Sequence, residues 1–195
     1  MAKRAAPSMP SVTAFPPPAR ATVLAGRFSA SPAASVTPAG AASRIALRAP
    51  QKSRAALSRA LGLALPETPK GTAANGSRAA LWLGPDEWLV IDAPDADLMS
   101  VMARVSALHA ATDVSHRNQA IVVAGPGAQA TLNAGCPLDL SQAAFPVGAA
   151  TRTVLGKAEI VLWRTEVATF RVECWRSFAD YCFMLLAAGA RDATY

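Results

Sequence analysis

Histidine and cysteine are scarce in this chain, and each scarcity closes off a class of chemistry. Only His109 and His116 occur in 195 residues, too few for a histidine-rich metal centre. Cys136, Cys174 and Cys182 are widely spaced and form no CxxC pair. They argue against a disulfide framework or a zinc site and for a reducing, cytoplasmic setting. Long hydrophobic runs are also missing: apolar residues make up 52% of the chain, much of it alanine, yet no run approaches the ~18–20 residues of a spanning helix. No apolar stretch of secretory type is present. The expectation is a soluble protein with no membrane partner.

Acidic residues are nearly absent from the first eighty positions, where eleven Lys/Arg face Glu67 alone and give +10. Residues 81–195 carry eight Lys/Arg and twelve acids, for −4. This split suggests a basic arm on a mildly acidic body. The arm's basic residues are scattered and its aromatics are only Phe15 and Phe28, so it lacks the footprint of a nucleic-acid binder. An acidic partner protein suits it better. Residues 1–43 are rich in Ala, Pro, Ser and Arg, with Pro16-Pro17-Pro18 near the middle. Prolines this frequent preclude a long helix, and the stretch is expected to be a mostly disordered arm. Its composition is that of a transit peptide, but the prolines interrupt any amphipathic helix.

From 44 to 195 the pattern predicts a single α+β domain, a mixed or antiparallel sheet with helices covering one side. Arg44–Arg48 alternates with period two and reads as a half-buried strand. Pro50 opens a helix over 51–62 with Leu57 and Leu61 inward, and Thr72–Ser77 reads as a loop. Leu98, Val101, Met102, Val105 and Leu108 predict an amphipathic helix over 96–109. Strands are expected at Ala111–Ser115 paired with Gln119–Ala124, at Thr151–Leu155 paired with Glu159–Trp163, and at Val167–Cys174. Ser177 to Asp180 reads as a capping box opening a helix over 177–188 that stops at Gly189.

The stretch that organises the chain is Leu81–Asp92, LWLGPDEWLVID. Two apolar runs flank Gly84-Pro85-Asp86-Glu87, and Pro85 followed by Asp86 fits the centre of a type I turn. The expected structure is a hairpin with Trp82 and Trp88 near the bend, either packed in the domain's own core or flanking an exposed corner. Trp82, Pro85, Asp86, Glu87 and Trp88 are the candidate partner contacts. Other chemistry is thin. Gly125-Pro126-Gly127 lacks a P-loop lysine and a GxGxxG pattern, so it reads as a turn before a helix. Cys136 with His116 and either Asp113 or Asp139 would supply a nucleophile, a base and an orienter. A lone cysteine is more often a small core hydrophobe, and no catalytic, cofactor-binding or metal residue is assigned to this chain.

WLGPDEWL at Trp82–Leu89, together with LGLALP at Leu61–Pro66, Thr112–Ser115 with Arg117, GCPLDL at Gly135–Leu140, Phe145 with Gly148, and RSFADY at Arg176–Tyr181, resembles the gamma subunit of heterotetrameric sarcosine oxidase. That family is itself distantly similar to the folate-binding domain of aminomethyltransferases. The resemblance spans about residues 44–190 and implies an accessory subunit packed on alpha, beta and delta partners. It also implies that FAD, FMN, NAD and tetrahydrofolate are bound by the partner subunits and none by this chain. The complex so implied oxidatively demethylates sarcosine to glycine, with hydrogen peroxide and methylenetetrahydrofolate as products. The alternative is a stand-alone folate-binding one-carbon protein of the aminomethyltransferase type, whose pterin-binding carboxylate would fall among Asp86, Asp113 and Asp139.

Overall fold

A computed structural model describes residues 23–193. The strands are β1 (Ser29–Ala30), β2 (Ser35–Pro38), β3 (Ser43–Arg48), β4 (Thr72–Asn75), β5 (Arg78–Gly84), β6 (Glu87–Asp92), β7 (Ala110–Asp113), β8 (Asn118–Ala124), β9 (Ala150–Leu155), β10 (Ala158–Glu166) and β11 (Thr169–Trp175). The helices are α1 (Arg54–Leu61), α2 (Leu98–Ala103), α3 (Ala128–Asn133) and α4 (Ala179–Asp192). Single 3-10 turns at Gln51–Ser53 and Arg176–Phe178 lead into α1 and α4.

The fold is α+β, and every strand pairing is antiparallel. There are two sheets, ordered β1-β2-β8-β11-β10-β9 and β4-β5-β6-β3-β7. Alternation along each strand sorts side chains to two faces. On the first sheet Phe170, Val172 and Cys174 face one core with Leu132, Cys182 and Leu186 of the helices α3 and α4. On the second, Ile45, Leu47, Trp88 and Val90 face another core with Leu57, Leu61 and Met102 of α1 and α2. The opposite faces meet each other: Leu81, Leu89, Ile91 and Ala150 are buried between the sheets with Val161 and Trp163. The expected sheet with helices on one side is thus two such units placed back to back, four layers in all.

Several boundaries differ from the sequence reading, each for a physical reason. Residues 1–22 of the expected arm lie outside the described residues, but the rest of it is built into the fold. Leu24 and Val36 are fully buried, and β2 adds to the edge of β8 with Val36 opposite Val123. The Thr72–Ser77 loop holds β4, hairpin-paired with β5. The helix expected over 96–109 covers only α2, capped by Asp97, whose carboxylate accepts from Ser100 N at 2.9 Å. The chain must leave the helix early to bring β7 to the edge of β3, and Leu108, counted on its apolar stripe, is exposed. The strands at 110–113 and 118–124 exist but do not pair; β7 joins one sheet and β8 the other.

The last helix starts after a 3-10 turn with no side-chain cap, and Asp180 instead pairs with Arg27 at 2.5 Å. It also runs through Gly189 rather than stopping there. A Cβ on Gly189 would stand 2.6 Å from Thr131 O, so that glycine permits close approach of α3 and α4.

Candidate partner-docking surface

The hairpin corner forms as expected. Trp82 lies opposite Trp88 and Gly84 opposite Glu87, with Leu83 as the extra, bulged residue. Neither Pro85 nor Asp86 has positive φ. Their turn therefore lacks the mirror-image twist of a tight hairpin, and the bulge takes up the mismatch. Ala49 N donates to Asp86 O at 3.0 Å and ties the corner to the end of β3.

The corner's five residues divide by exposure. Pro85 and Asp86 are exposed, while Trp82 and Glu87 are half-buried. Trp88 is a correction to the list of partner contacts: it is fully buried, and its Nε1 donates to Pro66 O at 2.8 Å. Its indole anchors the corner from inside the α1/α2 core and has no surface to offer a partner. Glu87 accepts from Arg48 Nη2 at 2.8 Å and from Arg152 Nη2 at 2.6 Å. Arg48 lies on β3 and Arg152 on β9, so this carboxylate clasps the two sheets. Burial opposes its charge, but Arg152 and then Arg48 outweigh it and hold the carboxyl below its ordinary range.

A stronger clasp lies deeper, between the two sheets. Arg44 and Glu173 are 2% and 1% exposed. Arg44 Nε and Nη2 donate to the two Glu173 oxygens at 2.7 and 3.1 Å, and Arg171 Nε adds a bond at 2.9 Å. The forked guanidinium geometry suits such a buried carboxylate. Arg164 is also buried, donating to the carbonyls of Leu140, Phe145 and Val167.

The thiol trio is not assembled. Cys136 is packed in the α3/α4 core, whereas His116 is exposed on the link from β7 to β8. Asp113 Oδ1 accepts from Ser115 N at 2.8 Å, and Asp139 Oδ1 accepts from Ser141 N at 2.9 Å, each shaping its own turn. Of the three candidate pterin carboxylates, Asp86 sits at an open tip. Asp113 borders an open cleft of about 240 Å³ with Ser43, Asp95 and Asp97. The Gly125–Gly127 turn is filled by the chain itself, since Gly127 N donates to Ala33 O at 2.8 Å. Among the described residues no group of three or more His, Cys, Asp or Glu could hold a metal ion, and no helix is long and apolar enough to cross a membrane.

One surface was missed from sequence. Val23, His116, Arg117, Trp175, Arg176 and Ser177 line an open groove of about 680 Å³. Trp175 is the last residue of β11, and nothing in the alternation of that strand marks its final position as exposed.

The family model for the sarcosine oxidase gamma subunit matches residues 47–192. The sarcosine oxidase subunit gamma of Corynebacterium sp. (strain P-1) is 35% identical over 133 residues, covering 65% of this chain and 64% of that protein. The corresponding subunit from Arthrobacter sp is 38% identical over 117 residues, covering 57% and 56%. The matched part of this chain therefore spans less than two thirds of the length of these curated relatives. The solved structure of heterotetrameric sarcosine oxidase from Corynebacterium sp. U-96 in complex with pyrrole 2-carboxylate superposes with a TM-score of 0.78 at 27% identity, over 83% of this chain and 87% of that one. The glycine cleavage system aminomethyltransferase T from Bartonella henselae shares the fold alone, with a TM-score of 0.61 at 16% identity over 88% of this chain and 51% of that one. With its family model matched over all four helices and every strand from β4 to β11, the chain belongs to the sarcosine oxidase, gamma subunit family.

Proposed function

We propose that this chain is the accessory gamma subunit of a heterotetrameric sarcosine oxidase, packed on the alpha, beta and delta subunits and serving assembly and stability of the complex. The observation that carries the reading is the family match over residues 47–192, seconded by the superposition on a chain of a heterotetrameric sarcosine oxidase. In this reading the complex demethylates sarcosine oxidatively to glycine, with hydrogen peroxide and methylenetetrahydrofolate as products. FAD, FMN, NAD and tetrahydrofolate belong to the partner subunits. The destination of this chain's own charged groups supports an accessory role: Arg44, Glu173, Arg164 and Glu87 are occupied in holding the two sheets and their loops together.

The exposed tip Pro85-Asp86, with Glu87 and the half-buried Trp82 behind it, is one proposed partner contact, and Trp88 serves as its internal anchor. Co-expression of the full chain with the large subunits tests the whole reading. The chain should copurify with them, and sarcosine-dependent peroxide formation should fall when it is omitted. Asp86→Lys should weaken association and leave the melting temperature of the free full chain unchanged. A chain that stays separate from the large subunits and binds tetrahydrofolate tightly by itself would instead be a stand-alone one-carbon protein.

A further inference from the structure

We infer that the groove between the β7–β8 link and the start of α4 receives a segment of a partner subunit that carries carboxylates beside apolar side chains. This rests on the reading of the chain as one subunit of a larger complex. Trp175 occupies the same face of β11 as Arg171 and Glu173, which the second sheet covers. It is the strand's last residue and is 43% exposed. Phe178, Tyr181 and Met184 follow at intervals of three along the turn and α4 and are each 40% exposed or more. Trp175 and Phe178 stand 6.5 Å apart between ring centres. Two exposed rings as close as Trp175 and Phe178 mark a contact site, and Trp is among the side chains most used as anchors there.

The charge of the groove selects its occupant. Arg117 lies over the Trp175 ring at 5.4 Å, and Arg176 lines the same groove. Neither makes an ion pair among the described residues. No carboxylate lines the groove, and the nearby Asp180 is already held by Arg27. The chain's own first 22 residues make a poor occupant on charge, because they carry Lys3, Arg4 and Arg20 and no acid. The groove is also continuous with the hairpin corner. A narrow cleft of about 40 Å³ shares Arg117 and Trp175 with the groove and is also lined by Leu83 and Arg152, with Glu159 and Glu173; Arg152 grips Glu87 and lies 3.9 Å from Glu159, and Glu173 is held by Arg44 and Arg171. One partner surface can therefore cover both.

The test titrates the full chain into the assembly of large subunits and reads the apparent Kd. Arg117→Glu combined with Arg176→Glu should weaken association by at least about 30-fold, as should Trp175→Ala, the scale of a hot-spot residue. Arg59→Glu on α1, an equally exposed charge in the opposite outer layer, should have no effect. Wild-type association should weaken as salt is raised, and the double reversal should flatten that dependence. Thermal midpoints of the free variants, matched to wild type, confirm that folding is intact. Wild-type affinity in both groove variants would overturn the inference while leaving the subunit reading in place. Failure of the wild-type chain to associate at all would overturn the subunit reading, and this inference with it. Tighter association after deletion of residues 1–22 would name the chain's own terminus as the occupant, and would also overturn it.

Discussion

Glu173→Gln is the sharpest probe of what holds the two sheets together. The substitution keeps the side chain's volume and one acceptor oxygen but removes the charge that Arg44 and Arg171 share. Opposite charges about 4 Å apart attract by ~4 kcal/mol at an effective dielectric of about 20. Here one carboxylate satisfies two guanidiniums, one of them with only 3% of its side chain exposed. Without it, two cations face each other between the sheets. Removing one partner of a buried pair costs about 3–5 kcal/mol, because the remaining charge is left uncompensated. For a chain of this size the midpoint should fall by roughly 6–20 °C. The assay is urea and thermal unfolding of the full chain at neutral pH. A double-mutant cycle separates the pair from the bulk cost: Arg44→Met with Glu173→Leu replaces charge by apolar volume and should recover most of the loss. Arg171 can then turn outward, since 19% of its side chain is already exposed. A loss below about 1 kcal/mol for Glu173→Gln, or additive single substitutions, would show that the sheets are held by apolar packing alone and that the triad is incidental.

Acid should loosen the outer clasp. Glu87 and Asp92 are both held below their ordinary values of 4.5 and 3.8; burial opposes their charge, but Arg152 and Arg48, and Ser77, Ala93 N and Arg78, outweigh it. Their contribution is complete above those values and is lost as pH falls through the lowered ones, so Glu87→Gln should lower stability at pH 7 and flatten its decline below about pH 4.5. Gly189→Ala should cost about 1–3 kcal/mol through overpacking against Thr131, despite a helix-propensity gain of about 1 kcal/mol; a stabilised variant would show that α3 and α4 can separate freely. Cys136→Ala should leave turnover by the assembled complex nearly intact, and a selective thousand-fold fall with assembly unchanged would revive a thiol mechanism. Deleting residues 23–42 should unfold the chain or leave it aggregating, as read by light scattering, because it strips the edge of β8 and empties the sites of Leu24 and Val36.

Elements whose inward residues are apolar and whose outward residues are polar were legible. The β9–β10 hairpin, the face of β11 carrying Phe170, Val172 and Cys174, and the helix ending at Gly62 all follow from periodicity and turn chemistry. The division of the strands into two sheets was not legible, because the faces that meet include Arg44 of the second sheet and Arg171 and Glu173 of the first. Alternating charge reads as a solvated face, and only the three-dimensional pairing of β3 with β11's layer reveals that the charges neutralise each other. The proposed partner surface was half legible for a related reason. Pro85-Asp86 announces an exposed turn, but Trp88 beside it is core, and Trp175, at the end of an otherwise covered strand, is exposed. Composition misled at the start of the chain: Ala, Pro and Ser suggest an arm, yet a few apolar side chains at Leu24, Ala34 and Val36 suffice to dock an extended segment.

Why that segment docks follows from the topology. The order β3-α1-β4-β5-β6-α2-β7 recurs as β8-α3-β9-β10-β11-α4, with sheet orders β4-β5-β6-β3-β7 and β9-β10-β11-β8-β2 that correspond strand for strand. In the first unit the strand after the second helix returns to flank β3. In the second unit α4 has no following strand among the described residues, and β2, from the beginning of the chain, takes the equivalent place beside β8. The N-terminal segment is thus the missing strand of the second unit, supplied from the far end of the sequence. A proline at the end of β2 is acceptable there, since only its carbonyl can enter the ladder. The neighbouring β1 is two residues long, so the sheet ends in a short edge that offers little template for pairing with another chain. Intersheet ion pairs then fix how the two units sit back to back. The hairpin corner and the Trp175 groove are then linked by one narrow cleft, whose lining includes Leu83 and Arg152 as well as Arg117 and Trp175.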